Sequence, residues 1–255
     1  MSKRNTQQRR HTIITELTNA GEVSVDHLAK RFETSEVTIR KDLAALEKSG
    51  LLLRKYGGAI PLPKEIIEPK SKDVSKRKQA IATKAASLIK DHNRIIIDSG
   101  RTTSAIVDLL TDKKGLVVMT NALSVANRLN ELENEPTILM TGGTWDPTSE
   151  SFQGQVAEQV IKSYDFDQLF IGADGIDINR GTTTFNELIG LSQVMAEVAR
   201  EVVVLVESEK IGRKIPNLEL AWHQVHTLIT DEGLSEQIKE ELTLQGVNVI
   251  CAPIK

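Results

Sequence analysis

The sequence has a single cysteine and no long apolar segment. Cys251 has no second cysteine with which to form an internal disulfide, which is typical of a protein in a reducing cytoplasm. The longest apolar runs, such as residues 202–206, are far shorter than the ~20 residues that a helix needs to cross a bilayer. The first residues also lack the charged start and apolar core of a secretory signal. We therefore expect a cytoplasmic protein without a membrane-spanning segment.

Patterns that would indicate a metal, a cofactor or a repeat architecture are also lacking. His11 and His27 do not have the spacing of metal ligands, so we expect them at the surface or in packing contacts. The 255 residues include 40% hydrophobic and 26% charged side chains, as in soluble globular proteins. This length fits one large domain, or a small and a medium one.

The net charge of −3 conceals an uneven distribution of charge along the chain. Residues 1–60 carry 11 Lys and Arg against 7 Asp and Glu, and residues 61–78 carry 6 against 3. The remaining 177 residues carry 15 against 25. A basic N-terminal part on an acidic body indicates a polyanionic partner for the N-terminal part alone.

Residues 34–59 predict a capped helix followed by a short hairpin. The hydroxyl of Ser35 can accept a hydrogen bond from the first turn of a helix. Apolar residues then recur at helical spacing, and we expect Gly50 to end the helix. Residues 51–53 predict a strand, and residues 54–58 predict the turn back. The predicted apolar face consists of Ile39, Leu43 and Leu46.

The polar face of this helix and the hairpin are basic, which suits the major groove of DNA. We expect Val37, Thr38 and Lys41 to face base edges. Arg40, Arg54 and Lys55 are expected mostly to hold phosphates. Asp42 is expected to be a structural partner of a nearby cation or a helix end. Taken alone, the stretch also fits an ordinary charged surface helix. The predicted DNA-binding residues are Ser35, Val37, Thr38, Arg40, Lys41, Arg54, Lys55 and Tyr56.

The residues before this stretch favour the DNA-binding interpretation. A helix is predicted from Thr6 or Gln7 onward, and a second one over residues 25–32. Two helices, a tight turn, a third helix and a basic two-stranded wing follow the order of a winged helix-turn-helix. Residues 6 to about 60 resemble the DeoR-type helix-turn-helix. That resemblance is carried by T-x-R-x-D-L at residues 38–43 and by Y-G-G-A at residues 56–59.

The rest of the chain predicts an α/β domain. Short apolar strands alternate with helices, which indicates a mainly parallel sheet covered on both faces. We predict a winged helix-turn-helix DNA-binding domain at residues 1–60, a linker at 61–75 and the α/β domain at 76–255. The predicted strands are residues 94–98, 116–120, 137–140, 168–172, 202–206, 227–230 and 247–251. The predicted helices include residues 102–110 and 186–200.

Polar and glycine residues follow several of these strands at their carboxyl ends, where open α/β sheets bind ligands. Residues 98–103 form a hydroxyl-rich loop at a predicted helix start, which suits a phosphate or is simply a helix cap. Asn121 follows the second strand, and Gly142 and Gly143 follow the third. Asp174 and Gly175 follow the fourth strand, and Lys210 comes after the fifth. A polyol phosphate needs this mixture, because cations and donors bind phosphate while carboxylates and amides accept from hydroxyls.

The body also resembles the DeoR-type C-terminal sensor, which is related in fold to ribose-5-phosphate isomerase. The marks lie between residues 98 and 213 and are D-x-G-x-T-T, T-N, G-G, G-x-D-G-I-D, T-F-N-E and S-x-K-x-G-R. The resemblance implies a sugar-phosphate inducer held by the 98–103 loop and Lys210. Arg101 stands where the family usually has Ser or Thr, and it either adds a bidentate phosphate contact, points away or blocks the pocket.

The stretches S-F-Q-G-Q, F-D-x-L-F and T-T-T-F-N-E are most similar to repressors of glucitol and N-acetylgalactosamine utilisation. The predicted effector-binding residues are Asp98, Gly100, Arg101, Thr102, Thr103, Asn121, Gly142, Gly143, Asp174, Gly175, Glu187 and Lys210. We expect no metal and no cofactor other than the sugar phosphate as effector.

These features predict a repressor of a carbohydrate-utilisation operon that binds operator DNA as a homodimer or homotetramer and is released by a phosphorylated sugar or sugar alcohol. The alternative is a sugar-phosphate isomerase-like enzyme with a DNA-binding head, in which Asp98, Asp174, Asp177 and Lys210 act as acid-base groups. A binding site uses the same groups, and we expect binding without catalysis. A constitutive architectural DNA binder would not need the large body.

Overall fold

Separate hydrophobic cores divide the chain into two units, Met1–Lys72 and Asp73–Lys255. The structure is a computed structural model that describes residues 3–48, 52–61, 74–147, 149–184, 189–213, 215 and 217–254. We call the first unit the head and the second the body. Most of the predicted 61–75 linker lies outside the described residues. No helix of the described residues is long and apolar enough to cross a membrane.

The head consists of three helices and a small antiparallel sheet. Ser24 caps the second helix by accepting from the backbone N of His27 at 3.1 Å. The third strand pairs with the second and also with a short first strand that the sequence did not predict. The elements are α1 (Lys3–Ala20), β1 (Val23–Ser24), α2 (Val25–Arg31), α3 (Glu36–Lys48), β2 (Leu53–Lys55) and β3 (Gly58–Ile60).

Helix α3 has the predicted cap and the predicted apolar face. The backbone N of Thr38 donates to Ser35 Oγ at 3.3 Å, which confirms Ser35 as the cap. Ile39, Leu43 and Leu46 are all buried in the core of the head, as predicted. The predicted stop at Gly50 lies outside the described residues.

The wing lies further along the chain than predicted. The predicted strand at 51–53 is wrong, because β2 is Leu53–Lys55 and the turn is confined to Tyr56 and Gly57. Gly57 has φ +77°, a conformation that favours glycine and allows this tight reversal. Arg54 and Lys55 therefore lie on a strand and not in the turn.

In the body, helices and strands alternate along most of the chain. The helices are α4 (Lys76–Ala86), α5 (Arg101–Ser104), α6 (Leu123–Asn130), α7 (Gln155–Ile161), α8 (Gly190–Glu197) and α9 (Glu236–Leu244). The strands are β4 (Arg94–Ile97), β5 (Val117–Thr120), β6 (Thr137–Met140), β7 (Thr144–Asp146), β8 (Ser151–Gln153), β9 (Phe166–Gly172), β10 (Gly175–Asp177), β11 (Gly181–Thr184), β12 (Ala199–Leu205), β13 (Asn217–Ala221), β14 (Thr227–Asp231) and β15 (Asn248–Ala252). Three 3₁₀ turns complete these elements: Val107–Leu109, Ser208–Lys210 and Trp222–Gln224.

The main sheet of the body has the order β15-β14-β12-β9-β4-β5-β6, and all of its neighbouring strands are parallel. Its two faces carry separate cores. Ile96 packs into one core, whereas Ile95 and Ile97 on the same strand pack into the other. A sheet buried on both faces explains the continuous apolar runs of its strands and confirms the predicted α/β class.

The direction of strand addition reverses between β4 and β9. From β4 the chain adds β5 and then β6 on one side, returns to place β9 against the other side of β4, and continues outward through β12, β14 and β15. Such a reversal leaves a crevice beyond the carboxyl ends of the two central strands, where α/β folds bind ligands.

Two predicted helices are shorter than expected. The helix predicted over residues 102–110 is α5 followed by a turn and the 3₁₀ turn Val107–Leu109, and its β-branched residues favour a helix poorly. The helix predicted over 186–200 is α8, because Ala199 already pairs with Phe166 as the start of β12. Residues 185–188 lie outside the described residues.

Short antiparallel strands make up the part of the body that was not predicted. β7 and β8 form a hairpin, and β10, β11 and β13 form a three-stranded sheet. These strands are three to five residues long, and several are rich in polar residues. Strands this short carry no clear two-residue periodicity in sequence.

Candidate nucleic-acid interface and ligand pocket

The start of α3 presents a small exposed surface. Val37 is 58% exposed, Lys41 is also exposed, and Thr38 is half-buried. The hydroxyls of Ser35 and Thr38 lie 3.0 Å apart and share a hydrogen bond. Ser35 is therefore engaged in capping the helix, while Val37 and Lys41 offer the accessible atoms.

Each remaining predicted cation of the head is paired with a carboxylate. Arg40 contacts Glu36 at 2.7 Å within α3, and Lys55 contacts Glu22. Arg54 donates from Nε to Glu47 at 2.7 Å and from its backbone N to the other carboxylate oxygen at 2.9 Å. Tyr56, at the tip of the wing, is fully exposed. Exposed pairs of this kind contribute little to stability, so a DNA phosphate can replace the carboxylate at little cost.

Asp42 is the structural partner that the sequence predicted. It is buried and receives Arg9 Nε at 2.6 Å and Arg10 Nε at 2.8 Å. These bonds tie α1 to α3 on the side of the helix that faces the core. Arg9 is itself buried, so neither it nor Asp42 is available to DNA.

The body has a pocket of about 170 Å³ at the crevice between β4 and β9. Seven predicted effector residues line it: Asp98, Gly100, Arg101, Thr102, Thr103, Asp174 and Lys210. The structure thus brings together residues that lie more than a hundred positions apart in sequence. Five further lining residues are not among the predicted effector-binding residues, although the first of them belongs to the predicted 98–103 loop: Ser99, Gly172, Ala173, Leu205 and Glu219.

Hydrogen bonds within the 98–103 loop and to Asn121 fix the conformation of this loop. Gly100 has φ +142°, which favours glycine. Thr103 Oγ1 donates to the carbonyl oxygens of Asp98 at 2.8 Å and Gly100 at 3.0 Å, so its hydroxyl fixes the loop. The backbone N of Ser99 donates to Asn121 Oδ1 at 3.1 Å. Asn121 therefore supports the loop without lining the pocket.

The opposite wall holds a carboxylate and an ammonium group. Asp174 follows β9 and accepts from Thr184 Oγ1 at 2.8 Å. Lys210 Nζ donates to the carbonyl oxygen of Ala173 at 3.2 Å, which keeps the cation beside the pocket. Arg101 comes from the loop side, so the pocket has a cation on each of two walls.

Four other predicted effector residues do not line the pocket or cannot be placed there. Gly142 and Gly143 follow the edge strand β6, and a Cβ on Gly143 would lie 2.6 Å from the carbonyl oxygen of Gln153. A Cβ on Gly175 would lie 2.8 Å from Ile215 Cδ1, so this glycine serves close packing. Glu187 lies outside the described residues.

Two of the pocket carboxyls have raised pKa values. Burial raises the pKa of Asp98 to about 6, against opposing hydrogen bonds from Ser99 and Asn121. Burial raises the pKa of Glu219 to about 8, helped by repulsion from Asp98 and Asp174. A glutamate between two leucines of a short strand, in L-E-L, was the only sequence signal for Glu219.

Asp177, which the enzyme alternative requires, lies outside the pocket lining. It ends β10 and pairs with Arg180 Nε at 2.7 Å. Burial alone would raise the pKa of Asp177, but hydrogen bonds from the Arg180 side chain and the Asn179 backbone outweigh burial and lower it. An ionised carboxylate held by an arginine is not a proton donor at neutral pH.

Two family matches cover both sites. The DeoR C terminal sensor domain matches residues 73–232, which contain the pocket, and the DeoR-like helix-turn-helix domain matches residues 9–64, which contain α3 and the wing. The chain belongs to the DeoR family. Membership confirms both resemblances drawn from the sequence and makes the head a DNA-binding helix-turn-helix of a transcriptional regulator.

Similar DeoR-type proteins match along almost the whole chain and are named as transcriptional regulators. A candidate repressor of the aga operon from Escherichia coli O157:H7 is 39% identical over 96% of this chain and 93% of its own length. The lactose phosphotransferase system repressor of Lactococcus lactis is 34% identical over 94% and 96%. The regulator GlpR of Haloferax volcanii is 29% identical over 95% and 96%.

Solved structures of ribose 5-phosphate isomerase A resemble part of the chain. The enzyme from Methanocaldococcus jannaschii gives a TM-score of 0.39 at 18% identity over 54% of each chain. The enzyme from Neisseria gonorrhoeae gives 0.40 at 13% identity over 54% of this chain and 53% of its own.

Proposed function

We propose that this DeoR-family protein represses a carbohydrate-utilisation operon and that a phosphorylated sugar or sugar alcohol releases it from the operator. The observation that carries the proposal is the pocket between β4 and β9, in which two cations and a hydroxyl-rich loop face carboxyls. The names of the relatives support it, since one is named as a candidate repressor of the aga operon and another as the repressor of the lactose phosphotransferase system.

On the DNA side, the cations of the head exchange partners. Arg40, Arg54 and Lys55 leave their carboxylates for backbone phosphates, which fix the position of the head on the duplex. Val37 and Lys41 then approach base edges in the major groove from the N-terminal end of α3. Sequence preference comes from this pair and from Thr38, whereas affinity comes mainly from the phosphates.

On the ligand side, Arg101 and Lys210 bind the phosphate. Arg101 offers a planar fork that can hold two phosphate oxygens, and the turn at Gly100 allows the ligand to approach the backbone closely. The carboxyls of Asp98 and Asp174 accept hydrogen bonds from hydroxyls of the carbon chain. In this arrangement the cations bind the phosphate and the carboxyls bind hydroxyls, which is the ordinary chemistry of each group.

Release follows from linkage between the two sites. We infer that the protein binds a palindromic operator as a homodimer or homotetramer, because tethering makes the second head contact nearly intramolecular. A ligand that favours an arrangement unsuited to the half-site spacing must lower operator affinity by its coupling factor. The loss is large because both heads lose their phosphate contacts together.

The enzyme alternative has less support in the pocket. Asp98, Asp174 and Lys210 lie together, but Asp177 is held outside by Arg180. We infer a binding site, whose raised pKa values follow from burial. Exchange of a carbon-bound proton of an aldose phosphate, lost in Lys210→Ala, would instead establish catalysis.

A gel shift tests the proposed function directly. The full-length protein is bound to the DNA upstream of its own gene and titrated with glucitol 6-phosphate, N-acetylgalactosamine 6-phosphate and other hexitol and hexosamine phosphates. We expect at least one to lower operator affinity while its unphosphorylated form does not. Operator affinity that stays constant across the whole panel would contradict the proposal. Analytical ultracentrifugation of the same complexes distinguishes a dimer from a tetramer.

A further inference from the structure

A β-bulge on β13 places the Glu219 side chain at the pocket. Thr182 pairs with Leu220 and Thr183 pairs with Leu218, so that Glu219 has no residue opposite it on β11. A bulged residue departs from the regular alternation of a strand, and bulges beside binding sites re-aim side chains. Glu219 is 9% exposed and lines the pocket. The bulge on β13 therefore occurs at Glu219, the residue of this strand that lines the pocket.

Two hydroxyls hold the Glu219 carboxyl in this position. Ser192, on α8, donates to Oε1 at 2.7 Å, and Thr182 donates to Oε2 at 3.3 Å. Thr182 Oγ1 also accepts from the backbone N of Leu220 at 3.0 Å, which directs its own proton toward the carboxyl. Each carboxyl oxygen can accept more than one hydrogen bond, so acceptor capacity remains for a ligand.

The charges around Glu219 come from every wall of the pocket. Asp98 and Asp174, after β4 and β9, both repel a negative charge on Glu219. Arg101 from α5 and Lys210 from the Ser208–Lys210 turn are the cations that line the pocket. Three ionised carboxyls against two cations would leave a net negative pocket, which disfavours a phosphate dianion unless one carboxyl carries a proton.

We propose that Glu219 contacts the effector and binds an uncharged hydroxyl or amide group on the carbon chain of a phosphorylated sugar. This assignment rests on the proposed function of the pocket as a sugar-phosphate site. A hydroxyl can donate to an ionised carboxylate and accept from a protonated carboxyl, so it suits this residue in either state. Because burial and the neighbouring carboxyls raise the pKa of Glu219 to about 8, the protein meets the phosphate at neutral pH with a proton on this group.

The assignment predicts that ligand binding is linked to proton uptake. A bound phosphate dianion adds a negative charge near Glu219 and favours its protonated form further. The second ionisation of a sugar phosphate, with a pKa of about 6, is complete above pH 7, so a pH dependence between pH 7 and 9 belongs to the protein. We expect affinity for a sugar phosphate to fall across this range.

Calorimetric titration of the full-length protein tests the proposal with glucitol 6-phosphate, N-acetylgalactosamine 6-phosphate and inorganic phosphate as probes. In Glu219→Gln we expect affinity for the better sugar phosphate to fall about tenfold at pH 7, because the amide nitrogen cannot accept a hydrogen bond where a carboxyl oxygen did, with affinity for inorganic phosphate changing less. The decline in affinity between pH 7 and 9 should disappear. Glu201→Gln, the same change at an exposed position on β12, is the control and should match the wild type.

Ser192→Ala is a second variant. It keeps the Glu219 carboxyl but removes the serine hydroxyl that donates a hydrogen bond to Glu219 Oε1. It should weaken sugar-phosphate binding in the same direction and keep the pH dependence. If both variants bind the sugar phosphate as the wild type does, Glu219 does not contact it and the inference is wrong. If no sugar phosphate of the panel binds the wild type, the proposed function itself fails.

Discussion

The head contains two kinds of ion pair, one exposed and one buried. Arg54 and Glu47 form an exposed pair, whereas Asp42 is buried with Arg9. The exposed pair contributes little to folding and can be exchanged for a phosphate. Removing one partner of the buried pair would leave an uncompensated charge, which typically costs about 3–5 kcal/mol. Only the exposed kind of pair is compatible with binding DNA.

Arg54→Ala should weaken binding to all DNA sequences by a similar factor of roughly ten. Arg54 lies on the wing, and the loss of one phosphate contact per head reduces the slope of log affinity against log salt concentration by about 0.9 for each bound head. Fluorescence anisotropy with operator and random duplexes at several salt concentrations measures both quantities. Arg180→Ala is the matched control, because Arg180 is equally exposed, at 47%, and pairs with Asp177 in the body. A loss limited to the operator would mean that Arg54 contacts bases.

Single residues also show how far the sequence could predict the sites. Asp42 could be assigned a structural role because it lies next to Leu43 on the apolar face of a clear helix. Lys210 and Asp98 could be assigned to one site because parallel strands end at one edge. Glu219 could not, because a bulge depends on the register of two strands and not on either strand alone.

Among the elements, the strands of the parallel sheet were predictable and those of the antiparallel sheets were not. Strands such as β4 and β12 are buried on both faces and give continuous apolar runs. β1 has only two residues, and it is recognisable as a strand only because it pairs with β3. The wing was misplaced by two residues because β2 and β3 have three residues each, too few to show a clear two-residue periodicity.

Gly58→Ala should disrupt the pairing of β1 with β3 and move the wing. A Cβ on Gly58 would lie 2.0 Å from the carbonyl oxygen of Val23, a contact with backbone that no side-chain movement relieves. We expect about 1–3 kcal/mol of destabilisation and a loss of operator affinity, which urea unfolding and anisotropy would measure. Gly246→Ala, at an open position with φ +87° in the body, should cost about 1 kcal/mol without changing DNA affinity. Equal DNA affinity in the two variants would show that the wing tolerates the clash.

At the scale of the whole molecule, charge and chemistry separate the two units. The head carries the basic excess, and the body carries the acidic excess and the pocket carboxyls with raised pKa values. This separation was visible in the sequence because it depends on composition. The protonation states of Asp98 and Glu219 could not be predicted from the sequence, because they depend on how deeply each carboxyl is buried and on how close the two lie to each other.

The stability of the body should therefore fall as pH rises from about 4.5 to 8. The pKa of Glu219 is raised from 4.5 to about 8 and that of Asp98 from 3.8 to about 6 in the folded protein. Between each pair of values the unfolded chain has released the proton that the folded protein retains, so the folded state binds more protons and loses stability with increasing pH. The loss from Asp98 is complete near pH 6, and that from Glu219 near pH 8.

Thermal unfolding of the full-length protein and of Glu219→Gln, from pH 5 to pH 9, measures this effect. The amide of glutamine cannot ionise, so the melting temperature of the variant should rise relative to the wild type as pH increases and level off above pH 8. Glu201→Gln, exposed on β12, should follow the wild type throughout. A constant difference between Glu219→Gln and the wild type would mean that Glu219 ionises at an ordinary pKa in the folded protein. The pocket would then hold all three charges at neutral pH, and phosphate binding would depend on Arg101 and Lys210 alone.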